Sequence, residues 1–185
     1  MSEILVNTIK KADGTGGLTV PTGTGTVATT NGITMVDQFR LTANKGNGVD
    51  LGSSGEVEQT DETTSGTIGT GMTHSSGIFS FPSTGIYLVL VEANFLAQSN
   101  DGTVQISIQV TTNNSSFTEY ALAEAGNTGS DSASQSGSAQ LVLDITDTTN
   151  QKIKFRTSSL TGSSVVRGDT NRNETTFTFI RLGDT

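Results

Sequence analysis

Few side chains in this 185-residue sequence could do chemistry, and they are scattered. The single histidine, His74, lies in a Gly-Ser stretch, without the partners that a metal site or a nucleophile–base–acid triad would require. We expect it to be solvated. The chain has no cysteine, which excludes disulfides, thiolate metal sites and thiol nucleophiles. Gly66-Thr67-Ile68-Gly69-Thr70-Gly71 is glycine-rich but lacks the Lys-Ser/Thr pair of a phosphate-cradling loop, and neither H-E-x-x-H nor G-x-S-x-G occurs. Carboxylates gather in the run Glu56, Glu58, Asp61 and Glu62 and in the Asp144–Asp147 turn, and oxygen-rich turns can hold Ca²⁺. The dense Asp/Asn spacing of a dedicated calcium loop is missing, so solvated acidic surface is the expectation. Lys152, Lys154 and Arg156 alternate along one strand face, where they should pair with nearby acids. Glycan cleavage would call for a matched pair of carboxylates, and nothing singles one out. No catalytic residue, cofactor or metal ligand is assigned, and the chain reads as non-enzymatic.

Composition points the same way. The net charge of −8 argues against binding a phosphate backbone, which requires a basic surface. Charged residues make up 15% of the chain, below the roughly 25% of ordinary soluble domains. Hydrophobic residues reach only 32%, so a lone core would be thin and burial between subunits would help it. With 22 Gly, 2 Pro and abundant Thr, Ser and Val, strands and turns are favoured over helices. No stretch approaches the roughly 18 apolar residues of a membrane span. The opening MSEILVNTIKK has too short an apolar run, and too early a Glu3, for a signal peptide. We expect a protein made without secretion.

The elements that would position any site follow from the period-two pattern. Residues 77–98 are the most hydrophobic part of the chain and give a short strand, a Pro-Ser-Thr-Gly turn and a long strand. In the long strand Tyr87, Val89, Val91, Ala93 and Phe95 share one face. Ile86, Leu88 and Leu90 occupy the other before it turns polar at Glu92 and Asn94. One face suits a core; the apolar half of the other needs a second cover, and a partner subunit is the natural one. Earlier, residues 33–42 place Ile33, Met35, Phe39 and Leu41 on one side, interrupted by Asp37. From Asn44 to His74 we expect long loops with short edge strands around Val49–Leu51 and Gly66–Gly69. Residues 103–112 alternate cleanly, with Val104, Ile106, Ile108 and Val110 inward and Gln105, Ser107, Gln109 and Thr111 outward, and residues 117–123 pair with them. After a polar loop over Gly126–Gly137 come strands at 138–146 and over Lys152–Thr157. The closing strand, TTFTFIRL, sets Phe177 and Phe179 against Ile180 and Leu182 and is again apolar on both faces. Eight or more short strands without βαβ alternation predict an all-β jelly-roll sandwich.

Three anchors in this order resemble the C1q/tumour-necrosis-factor superfamily of trimeric jelly rolls. Gly77-Ile78-Phe79-Ser80-Phe81-Pro82 through Gly85-Ile86-Tyr87 is similar to the family's F-x-x-P-x-x-G-x-Y approach to its central strand, with one extra residue between Pro82 and Gly85. Ser136-Gly137-Ser138-Ala139-Gln140-Leu141-Val142-Leu143 resembles its Ser-Gly-Ser strand. Thr176-Phe177-Thr178-Phe179-Ile180-Arg181-Leu182 resembles its closing strand, without the internal glycine. The resemblance spans roughly residues 33–183 and implies a homotrimer, with the central and last strands buried around a threefold axis. Ile86, Leu88, Leu90, Ile180 and Leu182 are then the expected trimer-interface residues.

Ahead of that domain, residues 12–32 are Gly-Thr rich and have little apolar surface to offset the entropy of ordering them. We expect residues 1–32 to be an extended arm and residues 33–185 a jelly-roll head. The leader Ser2-Glu3-Ile4-Leu5-Val6-Asn7-Thr8-Ile9, followed by Ala12-Asp13-Gly14, resembles the leaders of phage virion decoration and fibre proteins. On that resemblance the protein is expected on the virion, as a trimeric decoration (cement) protein of a bacteriophage capsid. Ile4, Leu5, Val6, Ile9, Lys10 and Lys11 would attach it to the major capsid protein, or to a tail or fibre adaptor. The alternatives are a fibre or receptor-binding tip, whose loops meet a host-surface glycan, and a C1q-like ligand or lectin-type module. Neither nucleic acid nor a membrane is an expected partner.

Overall fold

Within residues 33–185, the part of the chain that the computed structural model describes, there are eleven strands and no helix. The expected arm, with its attachment residues Ile4, Leu5, Val6, Ile9, Lys10 and Lys11, lies outside the described residues. In chain order the strands are β1 (Met35–Leu41), β2 (Val57–Gln59), β3 (Thr73–Ser75), β4 (Ile78–Ser80), β5 (Gly85–Ala97) and β6 (Val104–Thr111). They continue with β7 (Thr118–Ala125), β8 (Ala133–Ile145), β9 (Lys152–Ser158), β10 (Val165–Val166) and β11 (Thr176–Gly183). One antiparallel sheet runs β8-β5-β11-β1-β2, with β10 continuing the edge of β5 beyond the end of β11. The other runs β3-β4-β9-β6-β7. From β4 to β10 the chain crosses between sheets at every step but the β6–β7 hairpin. That is jelly-roll connectivity.

The long central strand organises the first sheet. One edge of β5 pairs with β8 along its whole length, and the other pairs with β11 over Ile86–Glu92 and with β10 at Phe95 and Leu96. Tyr87, Val89, Val91, Ala93 and Phe95 are all buried, as the alternation predicts. Opposite them Val104, Ile106, Ile108, Ile153 and Phe155 close the core from the second sheet. At one end five phenylalanines lock the sheets together: Phe155 lies 4.3 Å from Phe177, and Phe79 lies 5.1 Å from Phe179 and 5.2 Å from Phe39, ring centre to ring centre. Edge-to-face and offset contacts of this kind add about 0.5–1.5 kcal/mol per pair beyond area burial.

The turn before β5 has a physical account. Phe81 packs on Tyr87 at 4.8 Å, and the Tyr87 hydroxyl donates to the Ser83 carbonyl at 2.9 Å, closing the Pro-Ser-Thr-Gly turn on itself. Gly85 has φ 146°, and a Cβ there would come within 2.6 Å of the Gly183 carbonyl and 2.5 Å of the Arg181 guanidinium. Only glycine fits.

Several expectations need correction. Ile33 precedes β1 and is 51% exposed, so the core face of the first strand starts at Met35. Asp37 interrupts that face without breaking it: its carboxylate is fully buried and accepts from Gln59 Nε2 at 2.7 Å and from the Met72 amide at 2.8 Å. Ser107 and Thr111 were expected outward but are buried. Ser107 donates to the Arg156 carbonyl, and Thr111 is tied into the turn at Asn113. The 44–74 stretch contains β2 and β3, while Asp50 and Ile68 make only isolated bridges, to Arg156 and Val36. The polar loop ends at Ser132 rather than Gly137, because Ala133–Gly137 pair with Gly137's partner Ala93 onward through Ala97. That segment has no apolar alternation; the backbone of β5 makes it a strand.

Candidate functional site

The face of the first sheet that looks away from the core carries the most distinctive surface. Alternation places Val36 of β1, Ile180 of β11, Leu88 of β5 and Val142 of β8 on it, and the register sets them in one row: Val36 opposite Ile180, Ile180 opposite Leu88, Leu88 opposite Val142. Ile68 extends the row beyond β1 through its bridge to Val36. Five apolar side chains thus line up across neighbouring strands, a span of about 19 Å at normal strand spacing. Ile86 and Leu90 flank Leu88 along β5, and Leu182 follows Ile180 along β11. Val142 is 59% exposed, Leu182 54% and Ile68 49%. An apolar surface of this extent marks a contact site on a soluble domain. All five residues expected at a subunit interface, Ile86, Leu88, Leu90, Ile180 and Leu182, lie on this one face. Val36, Ile68 and Val142 belong with them and were not singled out. Val36 and Val142 could have been found by extending the alternation rule to β1 and β8; Ile68, inside a glycine-rich loop, could not.

A second apolar surface lies at the free edges. Tyr120 and Leu122 on β7 are 58% and 39% exposed. Beside them the inward-facing Ala139, Leu141 and Leu143 of β8 are only partly buried. Here the two sheets approach closely: a Cβ on Gly137 would meet the Glu124 backbone at 2.7 Å, which accounts for the glycine between Ser136 and Ser138. Further along β5 the outer face turns polar, as expected. Glu92, Asn94, Ser136, Ser138 and Glu174 border an open cavity of about 350 Å³. Glu174 is engaged by Arg172 at 2.9 Å and Arg167 at 3.3 Å.

Electrostatics accounts for the titratable groups. Glu58, Asp61 and Glu62 are in contact with solvent, as expected, and all three also bond the guanidinium of Arg40, which is 2% exposed; the Arg40 Nε to Glu58 distance is 2.7 Å. Glu56 is buried with its carboxylate on the Ser54 amide at 2.8 Å and Lys45 at 3.2 Å. The run is a set of ion pairs that fastens the 50–62 segment over the sheet. Lys154 and Arg156 pair with Asp50 at 2.9 and 2.7 Å, as their alternation with acids nearby predicts. Lys152 instead donates to the Thr148 carbonyl at 2.7 Å. Asp147 caps its own turn, accepting from the Thr149 and Asn150 amides. No group of three or more His, Asp or Glu placed to hold a metal ion occurs among the described residues. His74 is a clear correction. Its ring is half-buried, 4.5 Å from Phe79 and 6.3 Å from Phe39, with Nε2 shielded from solvent.

No protein-family model matches the chain, and no curated protein matches it by sequence. Solved structures do. The Eiger TNF of S. frugiperda superposes with a TM-score of 0.61 at 14% identity, covering 83% of this chain and 95% of that one. Murine APRIL at pH 5.0 superposes with a TM-score of 0.56 at 13% identity, covering 80% and 98%. The chain therefore has the C1q/TNF-like jelly-roll fold, as its three sequence anchors imply.

Proposed function

We propose that the protein is a non-catalytic structural module that works as a homotrimer, and that in the virion it decorates a phage capsid. The observation that carries the oligomer is the Ile68–Val36–Ile180–Leu88–Val142 row. Burying five such side chains contributes on the order of 1.5–3 kcal/mol each before the entropy of association is met. The two apolar surfaces differ, one on a sheet face and one at the β7/β8 edges. A contact between unlike surfaces is heterologous and closes into a ring when the rotation permits. Three copies, each seating its edge on the next copy's face, satisfy both surfaces at once. The C1q/TNF-like fold supports the same count.

Capsid decoration rests on the leader rather than on the head. Three leaders on one trimer would act together, so weak contacts of Ile4, Val6 and Ile9 with the shell would sum to tight attachment. An oligomeric ligand module is the second reading, favoured by the fold likeness alone. A receptor-binding tip is less well supported. The loop it would use is pinned, because Asn127 is buried and donates through Nδ2 to the Ala97, Gln98 and Asp131 carbonyls.

Light scattering on the purified chain tests the oligomer. The expected mass is three times 19.2 kDa, and Leu88→Glu should give a folded protein of one chain mass. A monomeric wild type at micromolar concentration would overturn the assembly. Labelling on intact virions tests the location: many copies over the head support decoration, and a few copies at the tail or a vertex support a fibre.

A further inference from the structure

His74 is placed where its neutral form fits and its charged form does not. It lies on β3, an edge strand of three residues whose hold on the second sheet is its pairing with β4, with His74 opposite Phe79. The imidazole spans three elements: Phe79 of β4, Phe39 of β1 and the turn at Gly52. It sits so close over that turn that a Cβ on Gly52 would come within 2.3 Å of Nε2. Nε2 is enclosed and has no hydrogen-bond partner. Phe39 and Phe79 present only rings to it.

The charged groups around it are already engaged. Glu56, on the segment between Gly52 and β2, is the nearest acid; its Oε2 accepts from the Ser54 amide, and its Oε1 lies 3.2 Å from Lys45 without a hydrogen bond. Asp50, from the same segment, is held by Lys154 and Arg156 of β9. On β1, Arg40 points to the opposite side of the sheet and is occupied by Glu58, Asp61 and Glu62. Asp37, on the same face of β1 as Phe39, accepts from Gln59 and the Met72 amide, and none of these acids is hydrogen-bonded to the ring. Burial accordingly holds the imidazole below its usual value, an effect that Glu56 only partly offsets.

We propose that His74 is an acid-released latch: when protonated, its ring leaves the niche between Phe39, Phe79 and Gly52, and β3 with the 50–56 turn separates from the sandwich. The outward move gives the imidazolium water at both nitrogens. It also uncovers Leu51 and Val57, which are buried in the latched form. The consequence is local rather than global, because the core cluster at Phe155, Phe177 and Phe179 and the β5 sheet do not depend on β3. Acidification would loosen one end of the head while leaving the oligomer face intact.

The chain has one histidine, so its imidazole Cε1–H gives a single, self-assigned NMR signal in the intact 185-residue chain. The signal should titrate with a midpoint below the usual value of about 6.5. Over the same range hydrogen-exchange protection should fall at least tenfold in residues 50–57 and 73–76, and stay constant along β5 and β11. His74→Phe keeps a ring in the niche without a titrating group and should abolish the pH dependence of that protection. A midpoint at or above 6.5, or unchanged protection in residues 50–57 when the signal has fully shifted, would overturn the latch even if the variant fails to fold.

Discussion

At the residue scale, the fold depends on a few side chains whose environments admit no substitute. Phe155 touches Phe79 of its own sheet and Phe177 and Phe179 of the opposite one. Phe155→Ala should therefore cost about 3–5 kcal/mol in chemical denaturation, the range for emptying an aromatic site in a packed core. Tyr87→Phe removes one neutral hydrogen bond to the Ser83 carbonyl and should cost only about 1 kcal/mol. The ordering of those two losses is the check. By contrast, Leu88→Glu and Ile180→Glu change no core contact, since both side chains lie on the outer face. Their effect should appear in mass and not in the far-ultraviolet spectrum. Most of this was legible in the sequence. Alternation in β5, β6, β9 and β11 names the buried apolar residues correctly because each of these strands is long enough to show its period, while Ser107 and Thr111 of β6 are buried against it by their hydrogen bonds. His74 and Glu56 were misread for the opposite reason. His74 sits on, and Glu56 beside, a three-residue strand in a glycine- and serine-rich segment, and the pattern of so short a strand does not show that Phe39 and Phe79 or Lys45 will pack over it.

At the element scale, β5 and β8 show two ways of specifying a strand. The core pattern in β5 is explicit in its own residues. The first five residues of β8, ASQSG, carry no pattern and take strand form from the ladder that β5 offers. Edge strands β2, β3 and β10, of two or three residues, are too short for a period to register. Gly137 belongs to this scale as well. A larger side chain there would strike the Glu124 backbone of β7 and push the two sheets apart at the mouth next to Leu141 and Leu143. Gly137→Val should lower the midpoint of thermal unfolding and weaken the oligomer together, measured by calorimetry and light scattering on one sample. Loss of stability with an unchanged oligomer would show that the β7/β8 mouth takes no part in the contact between copies.

For the whole molecule, acid stability should fall in two stages. Above its usual pKa of about 6.5, His74 costs nothing; as pH drops below that value the unfolded chain binds a proton that the latched form resists, and stability declines. A second stage comes from carboxylates held below their usual values. Burial opposes ionisation at Asp50, Glu56 and Asp101, but hydrogen bonds and cations outweigh it: Lys154 and Arg156 for Asp50, backbone amides and Lys45 for Glu56, Ser164 and Thr161 for Asp101. Their contribution is complete above about pH 4 and is lost as pH falls through the lower folded values. Denaturant midpoints at pH 7.5, 5.5 and 3.5 should separate the stages, with His74→Phe removing the first alone. Removing residues 2–32 should leave the number of copies per oligomer and the melting unchanged while abolishing co-sedimentation with capsids; normal decoration by the shortened protein would remove the leader from the attachment. The pairing of Met35 with Arg181 has a practical consequence. Ile33 and Thr185 lie at the same end of the sheet, so a fusion at residue 185 would emerge beside residue 33. A displayed epitope belongs instead among the exposed residues Thr128–Ser130, beyond the buried Asn127 and a full β5 length away, about 40 Å along the strand.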